Sequence, residues 1–498
     1  MNVNPITRLD YPDPDVIRVE DTYYMVSTTM HFMPGCEILQ SFDLVHWEHV
    51  TYVYETLDHT DAQQLKSGQN IYGQGMWAAS LRYHEGRFYI CFVANDTRKT
   101  YLYTSEKIDG PWKKQLIEGF YHDGSLLFDE DGRNYIVYGN DEIWITELNE
   151  DLTAPKKDGL HRLLVSDHKN PELGYEGSHI QKINGYYYIF LIHSLRDRWM
   201  RTEACFYSDS LEGEFTGGDV LCDDRGYCGQ GVAQGGIVDT PDGKWYAMLF
   251  QDSGAVGRIP ILLPVTWKDH FPFFGQNGHV PEEIEVHSTR PGYIYQPLVG
   301  SDDFCNGLLP RWQFNHDPDP RYYHLDALQG TYTITTREVC TELTQAVNTL
   351  TQRMSYPSCA AEVTVDASAL KEGDVAGLCA LQGCYAAVGI TKHHGKYEVL
   401  MLDKKEDGIL DMTEGTVVES HQMDFRLEAD FCNMKDEARC YYRVNKGDWL
   451  PIGNVHKLYF KLDHFTGCRF GLFCYAAEET GGSACFRDFK YYDVDEIS

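Results

Sequence analysis

Apolar and polar residues alternate along the first 250 residues in short runs, and the runs come in pairs. VIRVEDTYYMVS (16–27), SLRYHEGRFYICF (80–92), SLLFDEDGRNYIVYG (125–139), HIQKINGYYYIFL (179–191) and GIVDTPDGKWYAMLF (236–250) each read as strand, polar turn, aromatic strand. Period-two alternation bounded by Gly, Asp or Asn marks a β-hairpin. Sustained helical periodicity is nearly absent, so the chain is predicted to be all-β.

The five hairpins overlay. Their anchor aromatics Tyr24, Tyr89, Tyr135, Tyr188 and Tyr246 lie 65, 46, 53 and 58 residues apart, spacing that suits four-stranded sheets repeated about an axis. Parallel β-helix repeats are shorter, and a sandwich does not repeat one hairpin at such intervals. The prediction is a five-bladed β-propeller over residues 1–297. Counting back 12 residues from the anchor in the second to fifth repeats gives Trp77, Asp123, Glu176 and Gln234. In the first repeat, whose turn is one residue shorter, 11 residues back is Asp13. If the hairpins superpose, these five ring one end of the central channel.

Three of the five are carboxylic acids. Crowded, partly buried carboxyls have pKa values pushed apart, so one serves as base while another keeps its proton as acid. The competing readings are a calcium cage, which normally recruits more oxygens, and a solvated rim. Trp77 offers an aromatic face to the C–H face of a sugar, or plain packing. Asp15 falls on the same strand face as Asp13, one step further along the channel, level with Ala79, Ser125, Ser178 and Gly236. It is expected to hold buried water, an ion or backbone amides, whereas Asp10 precedes the repeat and needs only a turn or rim role. His179, a lone histidine in a strand, reads equally as a satisfied core residue.

Charge narrows the partners. The 498 residues carry a formal charge of −32, which repels nucleic acid and anionic membrane, and no apolar run reaches spanning length. The start MNVNPITRLD has no basic-then-apolar leader pattern, so a cytoplasmic location is expected. Fifteen cysteines without a CxxC pair read as reduced thiols rather than disulfides or zinc ligands. The oligomeric state is left open.

YPDPDVIRV with YYMVSTT and FDLVHWEHV, HDGSLLFDEDGRNY, YEGSHIQKINGYYY and VGRIPILLPVTW together resemble glycoside hydrolase family 43, five-bladed propeller enzymes that include β-xylosidases and α-L-arabinofuranosidases. The resemblance implies that Asp13 is the general base, Glu176 the general acid, and Asp123 the residue that tunes and orients the acid. It implies inversion at a terminal xylosyl or arabinofuranosyl unit of a xylo- or arabino-oligosaccharide, with no cofactor required for catalysis. Arg258 in VGRIP matches a sugar-binding arginine. Phe32 in HFMPG falls near an aromatic wall, though EWFPG is more usual there, and Gln234 occupies a slot where several relatives carry a histidine. A non-catalytic sugar-binding propeller is disfavoured by the three acids. A retaining fructan-acting hydrolase is disfavoured by Pro-Asp-Pro where Asn-Asp-Pro is expected.

From residue 298 onward, strands such as TYTITT, CAAEVTVDA, KYEVLML and CRFGLFCYA follow at short spacing, predicting a β-sandwich over 298–498. The resemblance implies a jelly-roll, concanavalin-like module that in some relatives lends a loop to the pocket rim. Asp303 (or Asp302) and Asp488, near its first and last strands, are candidate ligands for a structural calcium. Ten of the fifteen cysteines fall in this half and read as reduced core thiols.

Overall fold

The computed structural model describes residues 3–493, so the outer limits drawn at 1 and 498 lie outside the described residues. Five antiparallel four-stranded sheets follow one another as far as Phe274. Their innermost strands, Asp15–Val19, Met76–His84, Ser125–Phe128, Glu176–Ile183 and Val232–Asp239, stand in a closed circle, each beside two others. This is a five-bladed β-propeller. The anchor tyrosines sit on the second strand of each blade, opposite Ile17, Arg82, Leu127, Gln181 and Val238. At Glu85-Gly86 and Asn184-Gly185 both turn residues have positive φ, the turn whose twist matches a two-residue hairpin.

The apolar faces of successive blades meet at five seams. Ile38 meets Leu81, Cys91 meets Leu126, Val137 meets Ile180, Phe190 meets Ile237, and Met25 meets Met248 within their respective clusters. Each fully buried side chain of this kind contributes roughly 1.5–3 kcal/mol. The chain start closes the circle against the fifth blade. The Asn4 side chain exchanges two 2.8 Å hydrogen bonds with the Leu262 backbone, and Ile6 N donates to Pro260 O at 2.8 Å.

The channel is plugged. Asp15, fully buried, accepts from Leu81 N at 2.7 Å, from Arg82 Nη1 at 2.8 Å, and faces His179 Nδ1 at 3.1 Å. Burial alone would raise its pKa, but Arg82 and His179 hold it at about 2. Arg82 continues across the axis to Ser125 Oγ and Leu126 O. Gly236 leaves the space: a Cβ there would lie 3.3 Å from His179 Nδ1 and 3.7 Å from Asp15 Oδ1. Beyond Arg82 the opposite end opens into a separate cavity of about 410 Å³, bordered by Arg18, Lys182 and Trp245.

The second unit is a β-sandwich. One sheet has seven strands, from Tyr323–Asp326 at one edge to Leu450–Lys457 at the other. The other has nine, one of them Phe32–Met33 of the propeller, which pairs with Gln313–Asn315. The sandwich core also takes in Ala255, Val256 and Ile259 from the fifth blade and its entry loop, so one apolar cluster spans both units. All fifteen cysteines are free.

Phe32 therefore needs correcting. Expected as a wall against sugar, it is 2% exposed among Leu381, Tyr385 and Phe473 of the sandwich, with the Arg469 guanidinium 3.4 Å over its ring. The inter-domain strand pairing pulls it out of the pocket.

A buried ion network completes the junction. Arg353 Nη1 pairs with Glu37 at 2.9 Å, its Nε donates to Asp10 O at 2.9 Å, and His49 Nδ1 stands 3.0 Å from Glu37. Burial opposes the charge on Glu37, but Arg353 and His49 hold its pKa at about 2. A carboxyl depressed in the folded state contributes stability that is present above its unfolded value and lost as pH falls through the folded one. Arg353→Met strands the Glu37 charge and is expected to cost about 3–5 kcal/mol at pH 7 in urea denaturation, with the loss shrinking toward pH 2. A cost under about 1 kcal/mol would mean that the pair is dispensable for docking.

Candidate active site

At the mouth end the chain turns into each inner strand through left-handed backbone. Asp13, Asp123 and Gln234 have φ of 53°, 47° and 61°, whereas beside Glu176 and Trp77 the bend falls on Gly177 (64°) and Gly75 (81°). Aspartate is enriched in this region; for glutamine it costs roughly 1–2 kcal/mol. Register also shifts between Met76 and Ala79, Glu176 and His179, and Ala233 and Gly236, and such bulges re-aim side chains at strand ends. Together these devices turn the five residues across the mouth.

Asp13 Oδ1 receives Arg258 Nη1 at 2.9 Å, and Asp13 Oδ2 accepts from Thr28 Oγ1. Asp123 Oδ2 accepts Gly177 N at 2.9 Å and lies 3.6 Å from His122 Nε2. The same His122 nitrogen is 3.3 Å from Glu176 Oε2, which also accepts Asn140 Nδ2 at 2.6 Å. The Trp77 ring stands beside this group, tilted by 57° to the His122 ring and 5.9 Å from it between ring centres. The Glu176 side chain is 20% exposed against 7% for Asp13 and 6% for Asp123, so Glu176 is the acid that solvent and substrate reach most easily.

Burial pushes Asp123 up to about 6; His122 opposes this, and the Glu176 and Asp13 carboxylates add to it. His122 resists the opposite effect of its own burial: Asp123, Glu176 and Asp13 together raise it to about 9. The site at pH 7 thus holds an imidazolium among carboxyls. His122, Asp123 and Glu176 offer ligand atoms within 4.8 Å of one another, the one such group of three among the described residues. The protonated imidazole already supplies the positive charge there.

The sandwich reaches this pocket. Phe465 places its ring 5.6 Å from Trp77 and 4.2 Å from the Arg258 guanidinium, and Phe460 lies 5.9 Å from the same cation. Asp10 secures that loop: its carboxylate accepts Arg258 N and Gly467 N, each at 2.7 Å. The turn or rim role expected of Asp10 is therefore a pin between the domains. Gln234 joins the ring at 4% exposure, packed on Gly177.

Four participants escaped the sequence reading. His122 and Asn140 flank the third-blade hairpin, and the only signal for His122 was its place beside Asp123 in HDGS. Thr28 lies two residues beyond the strand Thr22–Val26, its N–H bonded to Pro12 O beside Asp13. Nothing local to Phe465 marks it, because its position depends on docking a domain more than 300 residues away from Asp123.

Asp303 and Asp488 are brought near one another around Cys305, both exposed. Asp302 has both oxygens engaged, by Phe304 N and Trp312 Nε1 at 2.8 Å each. Calcium takes six to eight oxygens, of which Asp303 and Asp488 supply few.

Residues 3–272 match the family model for glycosyl hydrolases family 43. The chain belongs to glycosyl hydrolase family 43. Residues 301–492 of this family 43 hydrolase match the β-xylosidase C-terminal concanavalin A-like domain. A β-xylosidase of Formosa agariphila is 27% identical, with 99% of this chain and 89% of that protein covered. A solved structure described as a bifunctional GH43-CE of Bacteroides eggerthii is 42% identical with a TM-score of 0.92, covering 98% of this chain. The chain spans 63% of that protein's length. Another, an engineered GH43 hydrolase described as both endo-xylanase and exo-arabinofuranosidase, is 27% identical with a TM-score of 0.86 over 99% of both chains.

The electrostatics of this family 43 site set a pH dependence. On an aryl glycoside, kcat/KM is expected to fall on the alkaline side with an apparent pKa near 6, as the Asp123 proton is lost. In His122→Asn the cation that opposes that proton is gone, so the limb moves to higher pH. A limb that stays in place or moves lower contradicts the assignment.

Proposed function

We propose that this hydrolase removes terminal β-D-xylosyl units from xylo-oligosaccharides by an inverting, exo-acting mechanism and also accepts terminal α-L-arabinofuranosyl units. The observation that carries the reading is the set of Asp13, Asp123 and Glu176 gathered at one end of a channel closed beneath them by Arg82 and Asp15. Such a pocket admits a chain end rather than a through-running polymer. The relatives named β-xylosidase and xylosidase/arabinosidase support the pair of terminal sugars.

In this mechanism Glu176, protonated, donates to the glycosidic oxygen as the bond breaks. Asp13, paired with Arg258 and aimed by Thr28, takes a proton from the water that attacks the opposite face of the sugar. The two proton transfers belong to one displacement with an oxocarbenium-like transition state, beside which Trp77 stands. His122 touches both Asp123 and Glu176, so it aligns the acid and carries the charge balance when the proton leaves. The glycosidic C–O bond breaks as water forms a bond to the anomeric carbon, one proton passing from Glu176 to the leaving oxygen and one from the water to Asp13. Fifteen free thiols fit a reducing compartment and, with it, a cytoplasmic setting.

Asp13→Ala is expected to lower kcat by roughly 10²-fold or more on both 4-nitrophenyl β-D-xyloside and xylobiose, and Glu176→Ala to do so on xylobiose, whose leaving sugar must be protonated, with both variants still folding cooperatively. The Glu176 variant regains much of its rate on leaving groups of low pKa, which need no protonation; the Asp13 variant does not. Near-normal rates in either variant on xylobiose, or turnover confined to a different sugar such as β-D-galactoside, overturn the reading.

A further inference from the structure

Glu203 has no place in the mechanism above, yet it lies two hydrogen-bonded steps from the acid. Along the fourth blade, Glu176 pairs across to Ile192, and Ile192 pairs across to Glu203 on the third strand. The Glu203 side chain turns away from that strand toward the fifth blade. Its Oε2 accepts Gln234 N at 2.7 Å, its Oε1 has no hydrogen-bond partner, and the residue is fully buried. Substrate cannot touch it.

What it holds is the one strained non-aspartate residue of the ring. Gln234 is left-handed at φ 61°. Its side chain packs so tightly on Gly177 that a Cβ at 177 would lie 2.7 Å from Gln234 Cδ and 3.0 Å from Nε2. Gly177 follows Glu176 directly and gives its N–H to Asp123 at 2.9 Å. Three consecutive contacts thus connect a buried glutamate on the third strand of the fourth blade to Asp123, and they pass through Gly177, which is bonded directly to Glu176.

We propose that Glu203 is a positioning residue for the hydrolysis, fixing the Gln234 turn against Gly177 so that the Gly177 amide and the Glu176 carboxyl stay aligned with Asp123. The inference rests on the roles given above to Asp123 and Glu176. Burial, against only the one amide from Gln234, pushes the Glu203 carboxyl well above the usual carboxylate range. It therefore acts as a carboxylic acid and adds no charge to a site already crowded with carboxylates. Arg201 on the same strand does not neutralise it, being 3.2 Å from Asp252 instead. The neighbouring thiol of Cys205 is likewise pushed up, by burial first and Glu203 second, and stays uncharged.

This separates shape from charge. Glu203→Gln keeps an acceptor of the same length without a carboxyl, and is expected to retain kcat within about threefold with an unmoved pH profile. Glu203→Leu removes the acceptor, and kcat is expected to fall about 10- to 100-fold with KM little changed, the loss typical of a displacement near 1 Å at a reacting centre. Its alkaline limb moves to higher pH, since the Gly177 amide that lowers Asp123 is displaced. If the leucine variant does not fold, Glu203→Met serves, and melting curves of all variants confirm the comparison. Full activity and an unmoved limb in a folded leucine or methionine variant overturn the proposal, as does a glutamine variant as impaired as the leucine one. Should Glu176→Ala remain active on a substrate whose leaving sugar must be protonated, the underlying reading fails instead, whatever Glu203 does.

Discussion

Everything at the mouth depends on what fills the channel. Five inner strands brought into one circle leave an axial space that must be either wet or packed, and here Arg82 and Asp15 pack it, with Ser125 and His179 completing their hydrogen bonds. A guanidinium in that position is stable only because Asp15 is ionised beside it, and Asp15 is ionised only because Arg82 and His179 overcome its burial. The plug turns a tunnel into a pocket. It also locks the first, second, third and fourth blades in mutual register, which is the register that places Asp13, Asp123 and Glu176 together.

Above the plug, position and charge are controlled by different means. Backbone bends and register shifts point the acids inward, and a single glycine-sized gap at 177 lets neighbouring blades touch. Charge is set by pairing: Asp13 with Arg258, and Asp123 and Glu176 with a shared imidazolium. Asp13, fully paired, and Glu176, partly exposed, form an asymmetric couple suited to a reaction that takes a proton from water and gives one to a leaving group.

The repeat made much of this legible. Period-two alternation revealed the hairpins, and counting back from one tyrosine per hairpin picked out Asp13, Trp77, Asp123, Glu176 and Gln234, because superposed strands convert sequence offset into height along the axis. Asp15 was separated from Asp13 by the same logic, two residues deeper among small side chains. Where a position depended on contacts between distant segments, the sequence was silent. Phe32 looked like a pocket residue by its motif but is claimed by a strand pair with Asn315. Phe465 and Asp10 matter because the sandwich docks on the fifth blade, and no local pattern encodes that docking. His122 was visible as a residue but not as a charge, since its protonation comes from three carboxyls on three blades.

The central claim is that Asp13 acts on water and Glu176 on the leaving group, without a bond between enzyme and sugar. Proton NMR of the first-formed sugar from an aryl β-D-xyloside tests it most directly, read before mutarotation. The account predicts that α-xylose appears first. β-Xylose appearing first would show that a carboxylate had attacked the sugar and would contradict the assignment of Asp13 as base.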